Sequence, residues 1–137
     1  NRHKRWIEKK WIFVQGCLKE SKRKKLAQRT DDDFKKLVLS FLSEAASQQG
    51  LKPQKVYFRP MKTKWASLST RKNLTINKLA KYLPDYLIEY IIIHELAHFK
   101  QKRHNEFFWE IITHKYKNYQ ELERELFIYW FRVTNKA

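Results

Sequence analysis

The sequence of 137 residues is poor in residues that break helices or cross-link chains. It has only two glycines and three prolines, which favours long helices and few tight turns. Cys17 is the single cysteine, so neither an internal disulfide nor a cysteine-rich zinc finger can form. There is no secretory signal, and Glu89 interrupts the longest apolar stretch. These absences predict a soluble, cytoplasmic protein without membrane contact.

The remaining composition is that of a folded domain. Apolar residues make up 42% of the chain and aromatic residues 15%, enough for a packed core although 32% of residues are charged. The length predicts one domain over residues 1–137. Within it we expect basic helices over residues 1–50 and the core that carries the chemistry over residues 51–137.

Positive charge is the strongest compositional bias. The chain has 30 Lys and Arg residues and 14 Asp and Glu residues, which gives a net charge of +16. Residues 1–30 hold eleven of the cations and only two acids. Such a field favours polyanions through counterion release, so non-specific contact with DNA or RNA through the basic N-terminal helix is one prediction. The alternative is a solvated, lysine-rich surface.

Helical periodicity dominates both ends of the chain. A first helix is predicted over Lys4–Leu26, with its aromatic residues Trp6, Trp11 and Phe13 in the core. A second begins after Thr30 as N-cap and ends at Gly50 as C-cap. After Pro84 the helical pattern returns, and two more helices are expected near residues 105–116 and 119–133.

The middle of the chain has strand patterns. "KVYFR" (55–59), "KWASLS" (64–69) and "NLTIN" (73–77) are β-branched, aromatic or alternating, and the last two are joined by a hairpin-length link. The sequence therefore predicts a mainly helical α+β fold with a small antiparallel sheet of about three strands.

The stretch "HELAHFKQKRH" carries three of the five histidines. On a helix, His94 and His98 project from one face a turn apart, so both imidazoles can reach one ion. Glu95 lies about 100° further round the helix and can flank the open position of such an ion without binding it. A carboxylate there can accept a proton from water, which is the chemistry of an H-E-x-x-H zinc hydrolase.

Other interpretations compete with this one. The pair can be two satisfied core histidines, although burying them on so apolar a helix is costly without a partner. A catalytic zinc usually has three protein ligands, and His104 is the candidate if the helix ends near Lys102 and the chain turns back. His104 can also be a solvent-exposed residue at a helix start, and His3 and His114 are expected at the surface.

Residues 55–116 resemble the core of the YgjP-like zinc metallopeptidases, a compact gluzincin-type group with a zincin-like fold. The resemblance rests on Trp65, Pro84, the stretch His94-Glu95-Leu96-Ala97-His98, His104 five residues later, and Phe108-Trp109. It implies zinc bound by His94, His98 and His104, with Glu95 as general base, in a metallopeptidase whose small sheet packs on the active-site helix. The chain departs from the family at Ala66-Ser67-Leu68, where the family has Gly-Ser-Cys.

The resemblance implies hydrolysis of a protein or peptide. An extended substrate would most simply add as a strand along Trp65–Ser69. Arg59, Arg71, Tyr116 and Tyr119 are candidates, by residue type alone, for stabilising the tetrahedral intermediate. Analogy with SprT-like proteases suggests substrates bound to nucleic acid. The alternative is a nucleic-acid-binding module with a structural zinc and no turnover, and the presence of Glu95 favours the enzyme.

Overall fold

The computed structural model describes residues 2–135, apart from the side chains of residues 2, 3, 4 and 6. The predicted positions of His3 and Trp6 therefore lie outside the described part. The elements, in chain order, are α1 (Arg2–Ser21), α2 (Asp31–Gln49), β1 (Lys55–Arg59), β2 (Ala66–Leu68), β3 (Asn73–Asn77), a 3-10 helix (Lys78–Tyr82), α3 (Asp85–Ala97), α4 (Glu106–Lys115) and α5 (Tyr119–Thr134). The mainly helical α+β fold with three strands is confirmed.

The chain groups into two compact units. The first comprises α1 and nearly all of α5, and the second is Ala27–Tyr119. Helix α2, grouped with α1 in the sequence-based division at residue 50, belongs to the second unit. The single domain over residues 1–137 stays a prediction. No helix among residues 2–135 is long and apolar enough to cross a membrane, and the cytoplasmic location stays a prediction.

In the first unit, α1 and α5 are joined by ionic and aromatic contacts. Arg124 pairs with Glu20 at 2.8 Å, and the rings of Phe13 and Phe127 stack with centroids 5.9 Å apart. Among the described side chains of α1, those of Cys17 and Ser21 are buried, and burial raises the pKa of the Cys17 thiol. The expectation that the aromatic residues of α1 are core is wrong for Trp11 and Phe13, which are 64% and 49% exposed. One facing helix, α5, is too narrow to cover the whole apolar stripe of α1.

Local capping signals explain the boundaries of α2. The Thr30 hydroxyl accepts a hydrogen bond from the Asp33 N–H, and three acidic residues occupy the first turn. Gly50 closes the helix at φ 68°, a left-handed conformation that glycine adopts without strain. Both predicted caps are confirmed. Helix α1, by contrast, ends at Ser21 rather than near Leu26, because residues 22–24 form a turn.

The sheet is mixed, which corrects the antiparallel prediction. Its strand order is β1-β3-β2, with β2 antiparallel to β3 and β1 parallel to β3. The hairpin fixes the β2–β3 pair, and the loop after β1 carries the chain across to the far side of β3. The fully buried Asn77 holds that loop, because its amide donates to the carbonyls of Met61 and Lys64.

Helix α3 runs through the core of the second unit. Eight of its residues are buried, on all of its sides. At its start, the Arg29 guanidinium donates to the carbonyls of Lys81 and Leu83, each at 2.6 Å, and pairs with the Asp85 carboxylate. Only 13% of the Arg29 side chain is exposed, so its bonds to the two carbonyls are partly shielded from water, whereas the Asp85 side chain is 69% exposed. They fix the point at which the central helix begins.

We predict that Arg29→Met lowers the free energy of unfolding by about 2–3 kcal/mol, because two carbonyls and a carboxylate lose a charged donor. Urea denaturation of parent and variant measures the change. Methionine keeps most of the apolar stem, so the loss reports on the guanidinium.

The matched control is Lys81→Met, which removes a cation from the exposed pair with Asp31 and leaves the Lys81 carbonyl in place. Exposed ion pairs contribute little to stability, so Lys81→Met should shift the urea denaturation midpoint far less than Arg29→Met. Equal shifts for the two variants would contradict the assigned role of Arg29.

Candidate metal centre

The C-terminal end of α3 places the first two histidines. His94 lies in the last helical turn, and His98 is the C-cap, whose backbone is still helical at φ −67° and ψ −14°. The i, i+4 geometry therefore holds, and the two ring centroids are 5.5 Å apart. The helix ends about four residues earlier than the predicted end near Lys102, in tight turns closed by the N–H groups of Phe99 and Lys100.

A chain reversal over residues 99–103 brings in the third histidine. His104 precedes the N-cap of α4, where the Asn105 side chain accepts from the Phe108 N–H. The His104 Nε2 lies 3.1 Å from the His94 Nε2, and the ring centroids of His98 and His104 are 4.7 Å apart. The structure thus brings together the three histidines that the sequence singled out, whereas His114 is exposed on α4.

The three imidazoles offer nitrogen atoms that all lie within 4.8 Å of one another. Two nitrogens bound to one zinc at about 2.0–2.1 Å with tetrahedral angles would be about 3.4 Å apart. The 3.1 Å separation of the His94 and His104 Nε2 atoms is close to that value. The donor set therefore fits a divalent ion that takes nitrogen ligands, and His94, His98 and His104 are the residues that could hold it.

His98 is prepared for such a role by a backbone contact. Its Nδ1 lies 2.9 Å from the Gln101 carbonyl oxygen, which can only accept, so Nδ1 carries the hydrogen and Nε2 is left as the ligand atom. Burial lowers the pKa of His98, and backbone hydrogen bonds from the ring oppose this. The neutral ring needed for metal binding is thereby favoured.

Phe108 forms the apolar floor of the cluster. It is fully buried, and its ring centroid lies 5.0, 4.6 and 4.9 Å from those of His94, His98 and His104. The sequence motif contains Phe108 but did not indicate this contact with the histidines. Placing the α4 N-cap at Asn105 would have shown that Phe108 and Ile112 share the inward face, whereas Phe107 is 54% exposed.

Trp109 stacks on His104, the exposed histidine of the cluster. Its ring lies between those of His104 and Tyr119, nearly parallel to both, at 5.8 and 4.7 Å between centroids. His104 is otherwise on an exposed turn, where its ring would sample several rotamers. The stack restricts that freedom, so Trp109 is a positioning residue for the third nitrogen. The only sequence signal for this role of Trp109 was the presence of the Phe108-Trp109 pair shortly after His104.

The remaining candidate residues have other contacts. Glu95 lies on α3 directly after His94 and is partly buried. The Tyr116 hydroxyl donates to the Glu89 carboxylate. The pKa of Tyr116 is raised far above its usual range, mainly by burial and secondly by this hydrogen bond to Glu89. Tyr116 thus links α4 to α3. Tyr119 stacks on Trp109, Arg59 lies over the Tyr57 ring at 4.1 Å, and Arg71 is exposed in the hairpin turn.

The chain is similar to a known protein family and to individual known proteins. A family model described as YgjP-like, metallopeptidase domain, matches residues 1–128. A segment of 56 residues, 41% of the chain, is 30% identical to a UTP pyrophosphatase of Escherichia coli strain K12. That segment spans only 34% of the length of this relative.

Two solved structures are also similar. Abylysin of Pyrococcus abyssi, a metallopeptidase zymogen, matches at 27% identity with a TM-score of 0.58 over 65% of this chain and 90% of its own. Jannalysin of Methanocaldococcus jannaschii, also a metallopeptidase zymogen, matches at 29% identity with a TM-score of 0.53 over 74% of this chain and 93% of its own.

We predict that Trp109→Leu weakens metal binding by about tenfold or more, as loss of a partner that orients a ligand typically does. The stack with His104 is lost, while leucine still fills part of the space. Titration against a chromophoric chelator gives the dissociation constant of the metal. Trp109→Phe keeps an aromatic face and should lie between leucine and the parent.

Trp11→Leu is the control, since Trp11 is an exposed tryptophan on α1. It should leave the dissociation constant unchanged. If Trp109→Leu, folded by circular dichroism, bound metal as tightly as the parent, the stack would have no positioning role.

Proposed function

Because the chain belongs to the YgjP-like metallopeptidase family, we propose that it hydrolyses peptide bonds with one zinc ion held by His94, His98 and His104. The observation that carries the proposal is the convergence of these three rings at the end of α3. The family implies a metal cofactor, and zinc is proposed because three imidazoles with an open position suit a catalytic zinc. Imidazole ligands also accept cobalt, nickel or copper.

The chain's own residues supply binding and proton transfer. The ion, when bound, supplies Lewis acidity at the scissile carbonyl. Glu95, next to His94 on α3, accepts a proton from the attacking water and passes it to the leaving amine. The substrate lies extended along β2, which is an edge strand of the sheet because only β3 pairs with it. Main-chain hydrogen bonds to that edge would hold the peptide beside α3.

A structural metal site without turnover is the alternative from another class. Structural zinc is normally closed by four protein ligands. Within the described residues, three histidines form the only cluster that could hold an ion. A site with three ligands leaves one position for water or substrate, which favours the enzyme.

The E. coli relative suggests a second candidate reaction. Its name is UTP pyrophosphatase, and Lys102 and Arg103 are exposed directly before His104. Cations beside a metal centre suit a triphosphate. On this hypothesis the chain would hydrolyse UTP to UMP and pyrophosphate, so pyrophosphate release from UTP belongs beside the peptide assays.

We predict that Glu95→Gln keeps the metal and loses hydrolysis, because the amide matches the carboxylate in shape but cannot accept a proton. General-base loss typically lowers rates by about 10²–10⁴. Metal content by elemental analysis and kcat on quenched-fluorescent peptides are the two measurements. His104→Ala should lose both the metal and the activity, whereas Glu95→Gln should lose the activity alone.

Glu106→Gln is the control, an exposed glutamate in the first turn of α4. This variant should keep both the metal content and the kcat of the parent. Full activity of metal-loaded Glu95→Gln on any substrate that the parent cleaves would remove Glu95 from the mechanism.

Contact with nucleic acid is a separate proposal, supported by charge and exposure. Lys22, Arg23 and Lys25 are exposed beyond the end of α1, and Trp11 is exposed beside Lys9 and Lys10. Phosphate contacts by the cations would give non-specific affinity, and an exposed tryptophan offers a face for stacking on a base. Proteins bound to nucleic acid would then be the natural substrates.

We predict weak, non-specific binding whose logarithm falls linearly with the logarithm of salt concentration, with a slope of about −0.9 per phosphate neutralised on duplex DNA. Changing Lys22, Arg23, Lys24 and Lys25 together to Gln should flatten that slope and weaken binding to all sequences alike. Fluorescence anisotropy at several salt concentrations measures both. Metal content should not change, which serves as the control, and absence of binding at low salt would reject the proposal.

A further inference from the structure

Two exposed turns near the metal centre carry only positive charge. The segment from His98 to Asn105 contains Lys100, Lys102 and Arg103 and no acidic residue, and all three cations are exposed. The hairpin turn between β2 and β3 contains Arg71 and Lys72, also exposed and also without an acid. We call Lys72, Lys100, Lys102 and Arg103 the cationic rim.

Lys72 joins the two turns. Its ammonium lies over the Phe99 ring, 5.0 Å from the centroid, and Phe99 directly follows His98. A lysine over an aromatic face is attracted by the ring quadrupole, so this charge lies next to the residue that follows His98. The other three cations are within two residues of a histidine of the cluster.

The backbone of Lys72 is fixed in an unfavourable conformation. It has a φ of 65°, the one positive φ at a non-glycine residue in the described part of the chain. Its N–H donates to the Ser69 carbonyl at 2.9 Å, and its carbonyl accepts from Gln54 at 2.8 Å. Glycine or asparagine is the usual residue at such a position. A residue that served the turn alone would not need a long cationic side chain.

The hairpin also marks the end of the proposed substrate strand site. Strand β2 ends at Leu68, and the turn begins at Ser69. A peptide paired along the outer edge of β2 therefore runs directly towards Lys72.

We propose that the metal centre selects acidic peptides, with Lys72 as a specificity-determining residue for an Asp or Glu near the scissile bond. This inference rests on the proposed peptidase function. The carboxylate of the substrate pairs with Lys72, and Lys100, Lys102 and Arg103 add to the attraction. The selectivity falls with added salt, because exposed charges are screened over about 8–10 Å at moderate ionic strength.

The test uses quenched-fluorescent peptides of one length in which Glu, Gln or Lys is placed, one position at a time, on both sides of the cleavage site. The parent should have a higher kcat/KM for Glu than for Lys at one position or more, by roughly fivefold as for an exposed ion pair. Lys72→Glu should abolish or invert that ratio, and Lys72→Arg should keep it. Lys36→Glu on α2 changes the net charge equally and should leave the ratio as in the parent.

Lys72→Asn separates specificity from a structural role. Asparagine tolerates the left-handed conformation, so this variant should raise Tm while it lowers the preference for Glu. A residue that serves only the turn would give the rise in Tm with an unchanged ratio, and that outcome would overturn the proposal. Equal cleavage of Glu and Lys peptides by the parent would also overturn it, while leaving the peptidase function in place.

Failure of the peptidase function itself has a different signature. If the metal-loaded parent cleaves none of the peptides, binding of the same labelled peptides is measured by anisotropy with the Glu95→Gln variant. Tighter binding of the Glu peptides, lost on adding Lys72→Glu, would support the rim as an acidic-peptide site. Equal binding of Glu and Lys peptides would reject it.

Discussion

The packing of three imidazoles around one buried phenyl ring is the constraint on which the second unit depends. Phe108 has to be inside to contact all three rings, and this fixes the register of α4. Because Asn105 caps that helix three residues earlier, His104 can only lie on the turn before it. This turn also requires α3 to end at Ala97, so that the C-cap His98 lies where the Gln101 carbonyl orients its ring. Phe108 thus connects the end of α3, the reversal over residues 99–103 and the start of α4. Trp109 adds a stacking contact with His104.

The central helix explains why the polar chemistry is concentrated at one end. Helix α3 is buried on all sides over most of its length. Its long-range polar contacts there include Glu89, which contacts Tyr116 and Lys115, and the pair of Asp85 with Arg29 at its start. Unpaired polar groups further along would be costly to bury. At the C-terminal end the packing opens, and His94, Glu95 and His98 become partly accessible. A rigid, apolar scaffold with a polar end holds its ligands at fixed spacing, which is what an ion with short bonds requires.

Local signals made part of this structure predictable, and long-range packing determined the rest. The Thr30 and Gly50 caps are properties of a few neighbouring residues, so both ends of α2 followed from the sequence. The spacing of His94, His98 and His104 likewise indicated that they converge. The parallel pairing of β1 with β3 did not follow, because it depends on a loop that crosses the sheet and is held by the buried Asn77. The exposure of Trp11 was missed for the same reason, since periodicity shows which face of a helix is apolar but not whether a partner covers it.

Charge around the metal centre restricts what the centre can bind. Histidine ligands are neutral, so an ion bound by three of them keeps its full charge, unlike one held by carboxylates or thiolates. Four exposed cations nearby oppose the binding of that ion, and no acidic residue in either turn offsets them. Anionic substrates gain most from such a field, because they meet the ion and the cations together. If the proposed specificity holds, the same field would lower affinity for basic peptides, and the turns that carry His104 and Lys72 would then affect both the strength of metal binding and the choice of substrate.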